Sequence, residues 1–371
     1  MKNKRIIVTV INDLATDQRV KKVCQALYDM GFDILLVGRR LKGSLPIENR
    51  PYRVKRLYLL FTKGPAFYAC FNIRLFFLLF FSRADVFHAN DLDTLLPVYL
   101  VSKLKRKRLV YDSHELFTEV PELVSRPRVK AIWEHIEKRI FPKLKYVFTV
   151  NDSIAEYYQS KYGVNVRVLR NLPVVNGISG GLSYEHLGLD RQKKYVILQG
   201  AGINIQRGAE ELVDAMQYLE DIILIVTGDG DVVPFLKQMT KKLSIEEKVK
   251  FYPKMPYEQL MQLTACASCG VTLDKDTNLN YRYSLPNKLF DYIRAGIPVL
   301  ASDLPEVRKI VEGYHVGLVV SSHDPKEIAA GIRQLTEFPS DHLKDSLKNA
   351  ARELCWENEK HKLTEVYEEF Q

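Results

Sequence analysis

A lysine and an acid stand one helical turn apart in residues 285–299, LPNKLFDYIRAGIPV. Asn287 is a favourable N-cap and Gly296 a favourable helix end, so the spacing predicts a helix between them. Lys288 and Asp291 then share one face near the positive end of that helix. The ammonium could neutralise a diphosphate there, and the carboxylate could accept hydrogen bonds from ribose hydroxyls. A surface ion pair is the alternative that this spacing also allows.

A second anion-binding pattern lies upstream, in residues 199–208, QGAGINIQRG. Gly200 and Gly202 would let the backbone approach a ligand closely. The helix predicted to follow offers unpaired N–H groups to an anion, and Arg207 would add a charge-assisted contact to phosphate. An ordinary strand-to-helix turn with an exposed arginine is the alternative.

The elements around these motifs alternate along the whole chain, because short apolar runs are followed by segments of helical periodicity. This rhythm predicts the α/β class with parallel, doubly wound sheets, whose ligands bind beyond the carboxyl ends of the strands. The predicted strands are residues 5–11, 34–37, 85–89, 108–111 and 146–150, then 195–199, 222–226, 249–252, 269–273, 299–301 and 316–320.

The rhythm breaks at residues 173–190, where four glycines occur without a helical period. We interpret this segment as a linker between two Rossmann-like domains, residues 1–172 and 191–354, that face each other across a cleft. A chain of 371 residues is long for one α/β domain and comfortable for two.

The net charge of +9 is unevenly spread, since residues 1–172 hold 31 Lys+Arg against 16 Asp+Glu and the remainder 23 against 29. A basic first half indicates an anionic partner, either a membrane surface or a phosphorylated substrate. Plain solvation of surface lysines is the alternative. Nucleic-acid binding has only the charge in its favour and no recognisable module, so we predict no nucleic-acid partner.

The five cysteines are scattered and odd in number, which favours a reducing compartment. The N-terminus lacks the long apolar stretch and cleavage site of a secretory signal, so we predict a cytoplasmic protein. Cys266 and Cys269 form a lone CxxC, for which a buried structural role is the prediction and metal or redox use the alternative.

Residues 65–82, PAFYACFNIRLFFLLFFS, carry Arg74 as their one charge. We expect this segment to be too short and interrupted to span a bilayer. It is interpreted as a core helix packed on the first sheet. The alternative is an edge that dips into an anionic membrane interface as a peripheral contact, helped by the basic cluster Lys103, Lys105, Arg106, Lys107 and Arg108.

Taken together, the motifs resemble those of family 4 glycosyltransferases, retaining enzymes of the GT-B fold. Residues 287–299 look like the donor-site helix of that family, and residues 12–20 resemble its first loop and helix. Residues 227–230, TGDG, are similar to its Gly-rich strand end. Residues 355–371 resemble its final helix, which returns to the first domain. The resemblance implies that residues 191–354 bind the nucleotide-sugar donor.

The resemblance also assigns roles to single residues on the donor side. Arg207 and Lys288 would contact the donor diphosphate, and Asp291 stands where the family usually has a glutamate that holds the ribose. The remaining donor-site residues that it implies are Gly200, Gly202, Gly228, Asp229, Arg282 and Asn287.

On the acceptor side, His114 matches a histidine that faces the transferred sugar. It is the third catalytic candidate beside Arg207 and Lys288, and the alternative for it is a hydrogen-bonded structural histidine. The other acceptor-side candidates are Asn12, Asp17, Arg19, His88, Asn90, Asp91 and Glu115. A histidine at a strand end such as His88 more often has a structural role, and Glu115 is either the orienting partner of His114 or a solvated acid.

Three departures from the family pattern bear on the donor and acceptor sites. Tyr283 stands where the family has the first of two glutamates, which puts the identity of the sugar in doubt. Ala201 replaces an arginine, for which Arg282 is a candidate substitute. Asn90 replaces the more usual histidine.

The mechanism implied is glycosyl transfer with retention, in which positive groups stabilise the departing diphosphate and no protein nucleophile is needed. The resemblance implies neither cofactor nor metal, although the acid pairs 91/93, 229/231 and 274/276 could each bind a divalent ion. The expected partners are a nucleotide-diphosphate sugar and a glycan or lipid-linked acceptor, in surface polysaccharide or glycolipid assembly.

Other classes stay open as alternatives. A nucleotide-sugar epimerase would convert free donor without an acceptor, and a non-catalytic nucleotide-sugar-binding protein would turn nothing over. A Rossmann oxidoreductase is disfavoured because the first strand and turn carry no GxGxxG.

Overall fold

The computed structural model describes residues 3–15, 17–40, 44, 46–47, 49–175, 184, 186–337 and 343–371. It divides into two compact units, Met1–Asn171 with Glu359–Gln371, and Leu172–Asn358. The described residues of the predicted linker belong to the second unit, and Leu189 is buried in that unit's apolar core. Leu172, predicted to end the first domain, is buried in the same core. Residues 176–183 and 185 of the predicted linker lie outside the described residues.

The first unit contains a parallel sheet that has, among the described residues, seven strands in the order β3-β2-β1-β4-β5-β6-β7. The central strands are buried runs of β-branched and apolar residues, and all five predicted from the sequence are present. The strands are β1 (Arg5–Asp13), β2 (Asp33–Arg40), β3 (Arg53–Tyr58), β4 (Val86–Asn90), β5 (Arg108–Ser113), β6 (Tyr146–Thr149) and β7 (Val166–Val168).

Strands β3 and β7 were not predicted, and both lie at sheet edges. An edge strand is covered on fewer sides, so it needs no continuous apolar run. The sequence of β3, RVKRLY, alternates exposed and partly buried positions and carries three cations. The sequence of β7 is only three residues long.

The second unit also contains a parallel sheet. Among the described residues its strand order is β10-β9-β8-β11-β12-β13. All six strands predicted for this half are present. They are β8 (Lys194–Gly200), β9 (Ile222–Gly228), β10 (Val249–Tyr252), β11 (Cys269–Thr272), β12 (Val299–Ser302) and β13 (Gly317–Val320).

Helices connect the strands and cover the sheets. In the first unit they are α1 (Gln18–Asp29), α2 (Gly64–Phe81), α3 (Leu92–Lys105), α4 (Pro121–Val124), α5 (Pro127–Ile140) and α6 (Asp152–Tyr162). The second unit holds α7 (Ala209–Ala215), α8 (Val233–Lys242), α9 (Tyr257–Ala265), α10 (Leu279–Arg282), α11 (Asn287–Ala295), α12 (Pro305–Gly313), α13 (Pro325–Glu337) and α14 (Lys344–Glu353). The boundary between the units falls within α15 (Trp356–Glu359), before its last residue. The last helix, α16 (His361–Glu368), belongs to the first unit.

Helix α16 completes the core of the first unit, as the family resemblance implied for the end of the chain. Tyr367 and Phe370 are fully buried there. The Tyr367 hydroxyl lies 2.6 Å from Nδ1 of the buried His88 on β4. Residues 355–358, predicted to return with this helix, pack with the second unit instead.

Helix α11 is fixed to its sheet by one aromatic side chain. The Tyr292 hydroxyl accepts a hydrogen bond from the Gln199 amide at 3.2 Å and lies 3.1 Å from the Val271 carbonyl oxygen. Its ring lies over Gly270, where an added Cβ would stand 2.3 Å from the ring. Only glycine therefore lets the ring approach this strand closely enough for both contacts.

Helix α2 departs from its interpretation as a core helix. Phe67, Phe71, Leu75 and Leu79 form one buried stripe, but only 22% of the 18-residue helix is buried. The expectation that the segment is too short to span a bilayer was also wrong, because its length and composition alone suffice for that. The core interpretation holds for one face of α2 and fails for the other.

Candidate functional site

The loop after β8 holds Arg207 against the end of β11. Gly208 has φ +71°, and a Cβ there would lie 2.3 Å from the Leu273 carbonyl oxygen, so the position requires glycine. Helix α7 begins directly after it, as predicted. The loop therefore brings the Arg207 guanidinium to the carboxyl end of β11.

Arg207 and Lys288 converge on one buried carboxylate, Asp274. Arg207 Nη1 lies 3.0 Å from Asp274 Oδ2, and Lys288 Nζ lies 4.0 Å from Asp274 Oδ1. Asp274 is 1% exposed and Lys288 12% exposed. Burial lowers the pKa of Lys288, Asp274 opposes that shift, and Arg207 adds to it. Two cations predicted from separate motifs are thus brought together.

Lys288 lies in the first turn of helix α11. Asn287 is its first helical residue rather than the predicted N-cap, and the cap position is taken by Pro286. Proline has no side-chain oxygen, so the first-turn N–H groups receive no capping bond from that position. Gly296, with φ +75°, ends the helix as predicted.

Asp291 lies one turn further along α11, where both of its oxygens are used. Oδ2 accepts a hydrogen bond from Gln199 Nε2 at 3.0 Å, and Oδ1 accepts one from the Tyr257 hydroxyl at 2.8 Å. Burial, together with Asp291, raises the pKa of Tyr257, which keeps this donor protonated.

The glycine loops after β8 and β9 are bonded to each other. Asp229 donates its amide to the Gly200 carbonyl at 3.2 Å, and its own carbonyl accepts from the Ile203 amide at 2.9 Å. Gly228, with φ +126°, approaches Gly200 so closely that a Cβ would lie 1.8 Å from its carbonyl oxygen. At Gly202 an added Cβ would make an ordinary van der Waals contact with Asn204 Nδ2 at 3.6 Å, so this position does not require glycine.

Arg282, the candidate substitute for the missing arginine, pairs with Asp276 rather than with Asp274. Its Nη1 lies 3.3 Å from Asp276 Oδ2, and half of the side chain is exposed. The aromatic partner of Arg207 was not predicted: the guanidinium carbon lies 4.7 Å from the centre of the Tyr281 ring. Tyr281 reaches that place from the short helix α10.

In the first unit, His114 is surrounded by hydrogen-bond acceptors. Its Nδ1 lies 3.1 Å from Asp91 Oδ2, and its Nε2 lies 3.0 Å from Asn90 Oδ1 and 3.5 Å from Asp112 Oδ2. The Asn90 amide nitrogen donates to the Thr9 carbonyl, so its oxygen faces the imidazole. Both ring nitrogens therefore donate, which defines an imidazolium.

The charge of His114 is stabilised by its neighbours. Burial alone would lower the pKa of His114, but Asp91 and Asp112 outweigh that effect and raise it to about 10. The imidazole thus carries its proton throughout the neutral range. It can orient and stabilise negative charge, and it cannot accept a proton as a general base.

A pH titration checks this. We expect the His114 Cε1–H NMR signal to stay constant from pH 6 to 8.5 and to change only near pH 10. In urea the same histidine should titrate near its ordinary value of about 6.5. Because the folded pKa is the higher one, the stabilisation is complete below pH 6.5 and is lost as the pH rises through about 10. A midpoint near 6.5 in the folded protein would contradict the assignment, and Asp91→Asn should lower the midpoint.

Asp91 itself has a strained backbone. Its φ of 61° and ψ of 163° lie in a region that residues other than glycine avoid, at a cost of roughly 1–3 kcal/mol. The strain is offset in part because Asp91 Oδ1 accepts from the His114 amide at 2.8 Å, beside the ring contact. Backbone strain of this kind clusters at functional sites, which favours Asp91 as a site residue.

Two acceptor-side candidates are buried. For Arg19 this does not agree with the predicted ligand contact, whereas for His88 it agrees with a structural role. Arg19 is 4% exposed, donates to both oxygens of Asp112 at 2.7 and 2.9 Å, and donates to the Leu169 carbonyl at 2.8 Å. His88 is fully buried, and burial lowers its pKa to about 4. Arg19 supports Asp112, and His88 packs with Tyr367 in the core, instead of facing a ligand.

The remaining acceptor-side candidates make local hydrogen bonds. Asp17 caps α1 by accepting from the Val20 amide at 3.0 Å, and its other oxygen accepts from Asn12 Nδ2 at 3.0 Å. The Glu115 backbone carbonyl accepts from the Ser113 hydroxyl at 2.9 Å. Glu115 also helps burial to raise the pKa of Asp93, a buried acid at the start of α3.

The acid pairs weighed as metal ligands have other partners. Asp91 pairs with His114, and Asp274 pairs with Arg207 and Lys288. Within the described ranges, no group of three or more His, Cys, Asp or Glu side chains could hold a metal ion. Cys266 and Cys269 are both buried free thiols, and burial raises the pKa of Cys269 to about 12.

Two family models match the chain. The model described as "Glycosyltransferase Family 4" matches residues 17–172, and that described as "Glycosyl transferases group 1" matches residues 188–354. Among curated proteins, the chitobiosyldiphosphodolichol beta-mannosyltransferase of Candida albicans is 25% identical over 275 residues, 67% of this chain and 58% of the relative. The Dictyostelium discoideum protein of that name is 24% identical over 42% of this chain. The chain thus spans about 58% or less of the curated relatives' own length.

Solved structures of similar fold cover the chain almost completely. Sucrose-phosphate synthase from Thermosynechococcus elongatus has a TM-score of 0.80 at 16% identity, with 99% of each chain covered. Anabaena HepE, in a complex with UDP and glucose, has a TM-score of 0.76 at 15% identity, covering 99% of this chain and all of its own. The architecture of two Rossmann-like α/β units is therefore the GT-B fold, which confirms the predicted fold class.

Proposed function

Because the chain belongs to the family 4 glycosyltransferases, whose models match both of its units, we propose that it transfers a sugar from a nucleotide-diphosphate donor to a glycan or lipid-linked acceptor. One observation carries this proposal: Arg207 and Lys288 meet at the buried Asp274, beside the N-terminal end of α11. Two cations and an uncapped helix start are suited to a pyrophosphate.

Asp274 holds the two cations at the site. A carboxylate that is 1% exposed between an arginine and a lysine offsets one of their two positive charges and fixes their positions before a ligand arrives. The cations would then stabilise the negative charge that develops as the diphosphate departs, and such electrostatic stabilisation usually contributes most to catalysis. Preorganisation by Asp274 removes the cost of assembling them.

The nucleoside would lie along α11 towards Asp291. That carboxylate is oriented by Gln199 and Tyr257, and its oxygens would accept hydrogen bonds from ribose hydroxyls. The glycine loops of residues 200–202 and 228–230 would let the backbone approach the phosphates. HepE, a structural relative, was solved with UDP and glucose, which agrees with a nucleotide-sugar donor for this fold.

We propose that the configuration of the sugar is retained. His114 stays protonated, so it cannot remove the proton of the acceptor hydroxyl, and the leaving diphosphate on the same face would take it. Inversion is the second candidate, since the curated relatives are named beta-mannosyltransferases and an α-linked donor gives a β-product by inversion. A carboxylate such as Asp91 would then have to be the base. NMR of the first product formed decides between them by its anomeric configuration.

The acceptor is proposed to be lipid-linked. The two curated relatives are named for a chitobiosyl diphosphate on dolichol, so a diphosphate-linked oligosaccharide is the acceptor class that they favour. The excess of cations in residues 1–172 suits such a phosphorylated acceptor. Surface polysaccharide or glycolipid assembly in the cytoplasm, without a metal cofactor, remains the proposed setting.

A binding screen tests the proposal. We expect one of the UDP-, GDP- and ADP-sugars to raise the melting temperature, because a ligand that binds only the folded state stabilises it by mass action. The shift should become smaller in Lys288→Met and stay unchanged in Lys348→Met, which removes an exposed lysine of α14. The same donor should be consumed only when acceptor is present. Conversion of free donor would assign an epimerase instead, and binding without turnover in any acceptor mixture a non-catalytic binding protein.

A further inference from the structure

The outer face of α2 is apolar and exposed. Ile73, Phe77 and Phe80 are 57%, 54% and 40% exposed, and their spacing of three and four residues puts them on one face of the helix. That face lies opposite the buried stripe described above. Phe81, at the C-terminal end, is 79% exposed. Monomeric soluble proteins rarely leave such large side chains contiguous and uncovered.

Neighbouring segments enlarge this surface. Leu60 and Phe61, just before α2, are 78% and 51% exposed. Leu100 and Leu104 are 44% and 64% exposed on α3, which packs against α2. We call these four residues and the exposed face of α2 the apolar surface.

A basic cavity adjoins the C-terminal end of α2. It has a volume of about 840 Å³ and lies where β1, β2 and β4 begin, at the edge of the sheet opposite to Asp91 and His114. The acids in its wall are Asp33 and Asp85. The cations in its wall outnumber them, and they are Lys4, Arg5, Arg83, Lys105 and Lys107.

Lys105 joins the cavity to the apolar surface. Its ammonium lies 5.8 Å from the centre of the Phe80 ring and donates a hydrogen bond to the Ser82 carbonyl at 2.6 Å. Burial and the neighbouring Lys107 lower the pKa of Lys105. The aromatic face and the basic cavity are thus two parts of one continuous surface.

We propose that this surface binds the interface of an anionic phospholipid bilayer, with the α2 aromatics at the acyl boundary and lipid phosphates at the basic cavity. Aromatic and aliphatic side chains beside lysine and arginine are the composition that such interfaces recruit. A purely apolar partner would leave the cavity's excess of cations unpaired. The inference goes beyond sugar transfer and does not depend on it.

The packing of α2 favours a helix that lies on the bilayer over one that crosses it. Its buried stripe contributes Phe67, Phe71, Leu75 and Leu79 to the first unit. The helix also connects β3 to β4 within one sheet. Insertion across a bilayer would remove that stripe from the core and pull apart the strands on either side.

The test uses the full chain in vesicle co-sedimentation. We expect binding to vesicles of phosphatidylcholine with phosphatidylglycerol, weak binding to phosphatidylcholine alone, and release by high salt. Arg83→Ser with Lys107→Ser should weaken binding more than tenfold, since each cation near such a surface contributes roughly fivefold. Phe77→Ser with Phe81→Ser should weaken it at least as much, because exposed aromatics lose their insertion.

Matched controls come from the second unit. Phe235 is 54% exposed, the same as Phe77, so Phe235→Ser should leave binding unchanged. Lys241→Ser with Lys242→Ser removes two exposed cations from α8 and should do likewise. Only variants whose melting temperature equals that of the wild type are compared. In each of them, the rate of sugar transfer to a water-soluble acceptor should equal the wild-type rate.

Three results would overturn the proposal. If the protein bound neutral vesicles as tightly as anionic ones, the basic cavity would have no role in binding. Resistance to salt and to alkaline carbonate would show a membrane-spanning helix. A dimer in solution that dissociates in Phe77→Ser with Phe81→Ser, without vesicle binding by the wild type, would assign the surface to a second copy of the chain.

Discussion

Replacing Lys288 with methionine is expected to lower kcat for sugar transfer by about 10²–10³-fold. The ammonium is 12% exposed and lies at the start of α11, opposite Arg207 across Asp274. If it stabilises the departing diphosphate, its loss affects the transition state more than the bound donor. Methionine keeps the length and packing of the aliphatic stem, so the fold should survive.

The measurement is steady-state kinetics with the donor identified by the binding screen. Lys288→Arg retains the charge and should recover part of the rate, whereas Lys348→Met should be indistinguishable from wild type. Because burial opposes the charge of Lys288, the melting temperature of Lys288→Met should not fall. Transfer at the wild-type rate in a folded Lys288→Met protein would refute the role assigned to this residue.

The second large effect is expected on stability. Arg19→Met should lower the free energy of unfolding of the first unit by about 3–5 kcal/mol, since it leaves the buried Asp112 without its main partner. The pair is 4% and 0% exposed, and it makes two hydrogen bonds of 2.7 and 2.9 Å. Arg19 and His114 together hold the pKa of Asp112 far below its usual range against the effect of burial.

Urea unfolding can be followed in this unit alone. The chain has two tryptophans, and a Trp356→Phe background leaves Trp133 of the first unit as the fluorophore. The matched control is Arg53→Met, which breaks a 2.9 Å pair with Asp33 that is 55% and 32% exposed and should cost at most about 1 kcal/mol. Similar losses in the two variants would mean that the buried pair is not a special contributor.

The sequence predicted the fold well because both sheets are parallel. A strand buried on both faces needs a continuous apolar run, and such runs appear at β1 and β8. The strands missed, β3 and β7, lie at edges where that requirement is relaxed. The interpretation of α2 failed for a related reason: an all-round apolar sequence does not tell a helix covered by protein from one left uncovered on one face.

Within the candidate site, the sequence located Arg207 and Lys288 but not what unites them. Asp274 stood out only as half of an acid pair, because its role depends on strands and loops distant in sequence converging at one edge. Arg19 was assigned to the acceptor side by the family resemblance, and only the structure shows that it is buried against Asp112. The signal available in the sequence was that Asp112 and Asp274 each directly follow a predicted strand.

The place of α16 has a consequence for biosynthesis. The first unit needs Tyr367 and Phe370, yet the ribosome makes these residues only after all 187 residues from Leu172 to Asn358. During translation, the His88 side of the first sheet therefore stays uncovered until α16 has been made. A stop codon near residue 358 would leave the second unit whole and the first one unfinished. A truncation at the C-terminus would therefore destabilise the N-terminal unit.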